Sequence, residues 1–204
     1  MENLKLSNGV EMPLEGFGVF QVPDPNECKN AVLEAIKAGY RLIDTAAIYM
    51  NEKAVGEAIK QAISEGIVKR EELFITTKLW VSDFSYEGAK RGFDRSLKNL
   101  GLEYLDLYLL HQAYGDVYGA WRAIEEFYNE KKICAIGVSN FNIGKFTEFA
   151  ELVNIKPMVN QIELHPFFAQ YDAIENMKKY GCLPQAWGPL AEGKHGIFTH
   201  PVLT

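Results

Sequence analysis

The chain has 204 residues, a net charge of −6 and 48 % apolar side chains, enough to bury one large core. Its acidic balance argues against a nucleic-acid partner, which needs a basic patch, and no run approaches the roughly 20 apolar residues that span a bilayer. The polar opening MENLKLSNGV lacks the apolar stretch of a signal peptide, and Cys28, Cys134 and Cys182 lie far apart with no CxxC pair. A soluble cytoplasmic protein with free thiols is expected.

Residues 3–13 carry an Asn-Gly pair between short alternating runs, a hairpin signal. The hairpin is expected to plug one end of whatever follows. Apolar periodicity then predicts a strand at Leu14–Val19 and a helix at Asn26–Ala38 with Gly39 behind it. The alternation continues with strand Arg41–Thr45 and helix Asn51–Ser64, opened by Asn51 as a cap. Next come strand Leu73–Lys78 and helix Tyr86–Leu100, ended by Gly101. Strand Leu105–His111 precedes helix Val117–Glu130, and strand Ile133–Ser139 precedes helix Ile143–Leu152. Strand Met158–Glu163, helix Ala173–Tyr180 ended by Gly181, and strand Leu183–Trp187 complete the series, with His200–Thr204 as the start of a seventh helix.

Seven strands with no composition break between them predict a single domain over residues 1–204. Repeated βα units demand a parallel sheet covered by helices. An open doubly wound sheet would carry GxGxxG on its first turn, but Gly16-Phe17-Gly18-Val19-Phe20-Gln21 lacks the third glycine. A (β/α)8 barrel explains more. Asp44, Lys78, His111, Ser139-Asn140, Gln161 and Glu163 all fall at strand C-terminal ends, which a barrel gathers at one mouth.

Those residues suggest chemistry. Tyr49 follows Asp44 in the next loop, and a phenol is a weak acid, with an ordinary pKa of about 10. A lysine at about 4 Å interacts with a phenolate by roughly 4 kcal/mol, which could lower that pKa by up to about 3. In this reading Tyr49 donates a proton, Lys78 tunes it, Asp44 keeps the lysine charged, and His111 orients a carbonyl oxygen. No side chain can supply a hydride, so a nicotinamide cofactor is implied. No His/Cys spacing suggests a metal site.

The segments GYRLIDTAAIYMNEKAVGEAI, FITTKLW, LDLYLLH, IGVSNF, QIELHP and AWGPL, in that order, resemble the aldo-keto reductase family. HQAYGDVYGAW and QAWGPLAEG are similar to bacterial reductases of the 2,5-diketogluconate or methylglyoxal type. The resemblance covers the whole chain and implies reduction of an aldehyde or ketone by NADPH, with NADH still open. It implies that Asp44, Tyr49, Lys78 and His111 are the catalytic tetrad. It also implies that Ser139, Asn140 and Gln161 hold the nicotinamide carboxamide, that Trp187 stacks on the ring where the family often has Tyr, that Gly18 and Val19 approach the cofactor by backbone, and that Gly188 and Leu190 lie along the pyrophosphate. Phe20, Trp80 and Gln112 are expected in the substrate pocket. Gln112 stands where many members have Trp, and Ala113 where Pro often follows, so the pocket wall is expected to differ.

The resemblance implies an eighth strand, last helices and a motif that grips the adenosine 2′-phosphate, all expected outside these 204 residues. With seven strands, weak stability, aggregation or completion by a partner is expected; a complete barrel is expected to be monomeric. The alternative reading is a truncated, non-catalytic binding or scaffold protein. Singly, Asp44 reads equally well as a cap or ion pair, Tyr49 and Trp187 as core aromatics, and His111 as a bonded core histidine. Their joint occurrence at successive strand ends favours the enzyme.

Overall fold

The computed structural model describes residues 2–203. It begins with the expected hairpin, strands β1 (Asn3–Lys5) and β2 (Glu11–Pro13) paired antiparallel. Gly9 sits at φ +89° in the turn, a conformation glycine adopts freely. Leu6 and Met12 enter the main core, and Asn8 Nδ2 donates to the Cys134 carbonyl at 2.9 Å. The hairpin thus covers the N-terminal end of the sheet.

Seven parallel strands follow in chain order: β3 (Gly16–Gly18), β4 (Leu42–Asp44), β5 (Phe74–Leu79), β6 (Leu105–Leu110), β7 (Ile133–Ser139), β8 (Val159–Glu163) and β9 (Leu183–Trp187). Between them run α1 (Pro25–Lys37), α2 (Glu52–Ser64), α3 (Tyr86–Leu100), α4 (Val117–Asn129), α5 (Ile143–Leu152) and α6 (Tyr171–Lys178). Every residue of β5 is buried, as expected of a parallel strand covered on both faces. Four of the six helices open on side-chain caps: Asp24, Ser85, Asp116 and Asn142 each accept from a backbone N–H three residues on. Gly101 closes α3 at φ +65°, as the sequence predicts. On α2, a Cβ at Gly56 would come within 2.3 Å of the Leu100 carbonyl oxygen, so glycine there lets α2 and α3 approach closely.

The sheet curls as a barrel wall does. Adjacent strands lie about 4.8 Å apart, which would put β4 and β8 about 19 Å apart in a flat sheet. Gln161 on β8 nevertheless bonds Asp44 on β4 at 2.8 Å. Strand alternation then sorts the side chains. Thr77 points outward and bonds Glu52 of α2 at 2.8 Å, and Tyr108 packs outward on Phe93 of α3. Their neighbours Asp44, Lys78, Ser139, Gln161, Gln185 and Trp187 fall on the inner parity. β3 and β9 are the ends of the strand order. Among the described residues, no helix is long and apolar enough to cross a membrane.

Several expectations need correction. Asn51 precedes α2 but makes no capping bond; its buried amide accepts from Thr45 Oγ1 and donates to the Val19 and Val22 carbonyls. The first parallel strand is only Gly16–Gly18. β5 extends past Lys78 to Leu79. Helix α6 starts two residues early, behind Gln170 at φ 45°, and stops at Lys178. Gly181, at φ +68°, closes the turn behind it, and Cys182 N–H reaches the Met177 carbonyl. No α-helix begins at His200: residues 197–199 form a 3-10 turn and 201–203 a simple turn, while Thr204 lies outside the described residues.

Candidate active site

The centre of the site is the Lys78 ammonium, with no exposed side-chain surface. It donates to Asp44 Oδ1 at 2.5 Å, to the Thr45 carbonyl at 2.9 Å and to Tyr49 Oη at 3.4 Å. Those three contacts match the three hydrogens of an ammonium. β4 supplies Asp44, and the chain turns directly after it. A short 3-10 turn over Ala47–Tyr49 and a left-handed Met50 (φ 60°) bring Tyr49 back over Lys78. Asn51 fastens the end of that turn to the segment after β3 through its bonds to Val19 and Val22.

His111 follows β6. Its ring meets Tyr49 edge-on at 5.5 Å between centroids and Trp80 at 5.2 Å. Phe20 lies 5.0 Å from Tyr49 on the open side and is 58 % exposed. His111 Nδ1 is buried without a hydrogen-bond partner, which costs about 1–3 kcal/mol unless a partner is supplied.

The far wall is an amide ladder. Gln161 Nε2 donates to Asp44 Oδ2 at 2.8 Å and to Gln185 Oε1 at 2.9 Å. Asn140, at φ +62°, donates to the His111 carbonyl at 3.1 Å and accepts from Trp187 Nε1 at 2.8 Å. Asparagine is one of the few side chains at ease in that backbone region. Ser139 Oγ donates to the Gln161 carbonyl at 2.9 Å. Val19 is fully buried, its N–H given to Asp44 and its carbonyl taken by Asn51. Gly18 pairs in register with Asp44, and Gly188 follows Trp187 at φ +60°. Gln112 and Leu190 have no hydrogen bond or ring contact to this cluster; Gln112 is half-buried and Leu190 is 57 % exposed.

The electrostatics differ from the sequence reading in one respect. Burial pushes the Tyr49 phenol above its ordinary value, and Asp44's charge acts in the same direction. Burial outweighs what the Lys78 ammonium can offer, because its charge is largely matched by Asp44 at 2.5 Å, so the phenol faces an ion pair rather than a free cation. Burial pulls the Lys78 ammonium down, while Asp44 opposes this by charge and hydrogen bond. Burial, aided by Lys78, pushes the His111 imidazole down to about 3. At neutral pH the site therefore holds a protonated phenol and a neutral imidazole.

The histidine shift has a measurable consequence. Between its ordinary value of 6.5 and about 3, the unfolded chain takes up a proton that the folded chain refuses. His111 thus favours folding above pH 6.5, and that contribution is lost as the pH falls through the window. Urea unfolding from pH 7 to pH 4 should show wild type losing stability more steeply than His111→Gln. Parallel declines would contradict this account of the histidine.

Three residues of the site were not read from the sequence: Gln185, the Thr45 carbonyl and Asn51 as a tether. Gln185 could have been found from the inner parity it shares with Trp187.

A model of the aldo/keto reductase family matches residues 16–197. The chain belongs to that family. This aldo/keto reductase is accordingly an NAD(P)H-dependent oxidoreductase. It is 50 % identical over 199 residues to YtbE of Bacillus subtilis (strain 168), described as an uncharacterized oxidoreductase, covering 97 % of this chain and 70 % of the relative. It is 48 % identical over 204 residues to the glyoxal reductase of the same organism, covering 100 % of this chain and 72 % of the relative. Among solved structures, the Bombyx mori aldo-keto reductase AKR2E4 in complex with NADP matches with a TM-score of 0.88 at 34 % identity, over 91 % of this chain and 66 % of that one.

Proposed function

We propose that this aldo/keto reductase reduces small aldehydes and ketones, dicarbonyls among them, to alcohols with NADPH, using Asp44, Tyr49, Lys78 and His111. The observation that carries this reading is the buried Lys78 ammonium bonded at once to Asp44 and Tyr49, with His111 packed edge-on against the same phenol.

The residues present fit a nicotinamide cofactor. His111 Nδ1 is buried and unpartnered. A Cβ on Gly18 or Gly188 would meet nothing within 4 Å, so space lies open at both glycines, the second of them next to Trp187 in the chain. Ser139, Asn140 and Gln161 would hold the carboxamide and Trp187 would offer a flat face to the ring. Gly18, the Val19 backbone, Gly188 and Leu190 would border the rest. When bound, the cofactor supplies the hydride.

The chain's own part is proton supply and orientation. Neutral His111 donates a hydrogen bond to the carbonyl oxygen and holds it by Tyr49. As negative charge builds on that oxygen, the Tyr49 proton moves to it, because an alkoxide is more basic than a phenolate. Lys78 then faces a phenolate and stabilises it, an interaction that gains its strength only as the reaction proceeds. Phe20, Trp80 and Gln112 would wall the substrate pocket, with Gln112 a polar element within it.

The likeness to a glyoxal reductase supports dicarbonyls as the first substrates to try. Purified protein mixed with NADPH and methylglyoxal, an aromatic aldehyde or a keto-sugar should consume the reduced cofactor's absorbance in step with alcohol formed. No consumption with any of these, under conditions where NADPH quenches the tryptophan fluorescence, would overturn the proposal.

A further inference from the structure

The inner face of β9 carries two polar-tipped residues, Gln185 and Trp187, of which only Trp187 has a role above. Gln161 is the central member of the amide ladder, and its Nε2 has two hydrogens. One goes to Asp44 Oδ2 at 2.8 Å and the other to Gln185 Oε1 at 2.9 Å. Both donors are thereby spent, and Gln161 has only its carbonyl oxygen left to offer.

We infer that Gln185 is a positioning residue that makes Gln161 a pure acceptor at the carboxamide, so that the site selects a primary amide on the nicotinamide ring. The inference rests on the proposed carboxamide role of Gln161 and deepens it. An acceptor fixed in place recognises the amide N–H of nicotinamide and gains nothing from a ring substituent that has a carbonyl alone. Asp44 restrains one hydrogen of Gln161 in any case. Gln185 removes the second, which would otherwise be free to donate to the carbonyl of either group and erase the distinction. Gln185 is half-buried on β9.

The test measures binding rather than turnover. Tryptophan fluorescence titration compares NADPH with its 3-acetylpyridine analogue, in which a methyl ketone replaces the amide. Wild type should bind NADPH about tenfold more tightly than the analogue, the worth of one hydrogen bond. Gln185→Met and Gln185→Leu, which lack the acceptor, should narrow that ratio to less than about threefold. Gln185→Glu, of the same shape and still an acceptor, should keep the wild-type ratio. Wild-type discrimination that survives in both apolar variants overturns the role of Gln185, as does equal loss in Gln185→Glu. A wild-type ratio near one rejects instead the placing of Gln161 at the amide, leaving the proton-donor reading of Tyr49 intact.

Discussion

Tyr49→Phe should slow carbonyl reduction by about 10²- to 10⁴-fold, the usual contribution of a general acid, while binding NADPH within about twofold of wild type. The substitution removes one oxygen and little else. The ring contacts with Phe20 at 5.0 Å and His111 at 5.5 Å do not involve the hydroxyl, and the Lys78 ammonium still lies over the ring, 5.0 Å from its centroid. Lys78 keeps its bonds to Asp44 and to the Thr45 carbonyl. The fold and the cofactor wall therefore stay, and the proton source goes. The high pKa of the buried phenol is no obstacle, since the proton leaves only when a stronger base forms beside it. Single-turnover rates and fluorescence titrations on the same preparation separate the two effects. Full activity in Tyr49→Phe would reject the tyrosine as donor.

Asp44→Ala should destabilise the protein by about 3–5 kcal/mol, because it leaves a buried ammonium without its counter-ion. For a chain of this size that is a drop of roughly 6–20 °C in Tm. Lys78 has no exposed side-chain surface and would retain only the Thr45 carbonyl and the Tyr49 hydroxyl. The double variant Asp44→Ala/Lys78→Met should recover most of the loss, since no charge is then buried. Neither variant should turn over substrate. Thermal unfolding with a parallel reduction assay distinguishes this from a purely structural pair. A double variant no more stable than the single one would mean that the desolvated ammonium is not the source of the cost.

Much of this architecture is written in short-range pattern. The strands Ile133–Ser139 and Leu183–Trp187 and the helix Tyr86–Leu100 have the predicted bounds, because alternation, a serine cap and a glycine stop are local signals. The grouping of Asp44, Lys78 and His111 was legible for the same reason: each closes an apolar run, and a barrel places such ends together. Gln185 was legible as an inner-face residue by its parity with Trp187, but its role was not. Its partner Gln161 lies on the neighbouring strand, and only the curl that carries Asp44 to Gln161 gives the pair a purpose. Asn51 looked like a helix cap because its position is right for one, yet the Thr45 hydroxyl takes the side-chain oxygen a cap would use, and the amide hydrogens go to the Val19 and Val22 carbonyls. The direction of the Tyr49 shift depended on a balance no sequence displays, burial against a lysine already neutralised by its own aspartate.

The reduction assay run with NADPH deuterated at C4 of the nicotinamide tests the central claim most directly. With both C4 hydrogens replaced by deuterium, a hydride passed from the nicotinamide while Tyr49 supplies the proton will place one deuterium on the new carbinol carbon of the alcohol. Alcohol formed with only protium on that carbon would contradict the account.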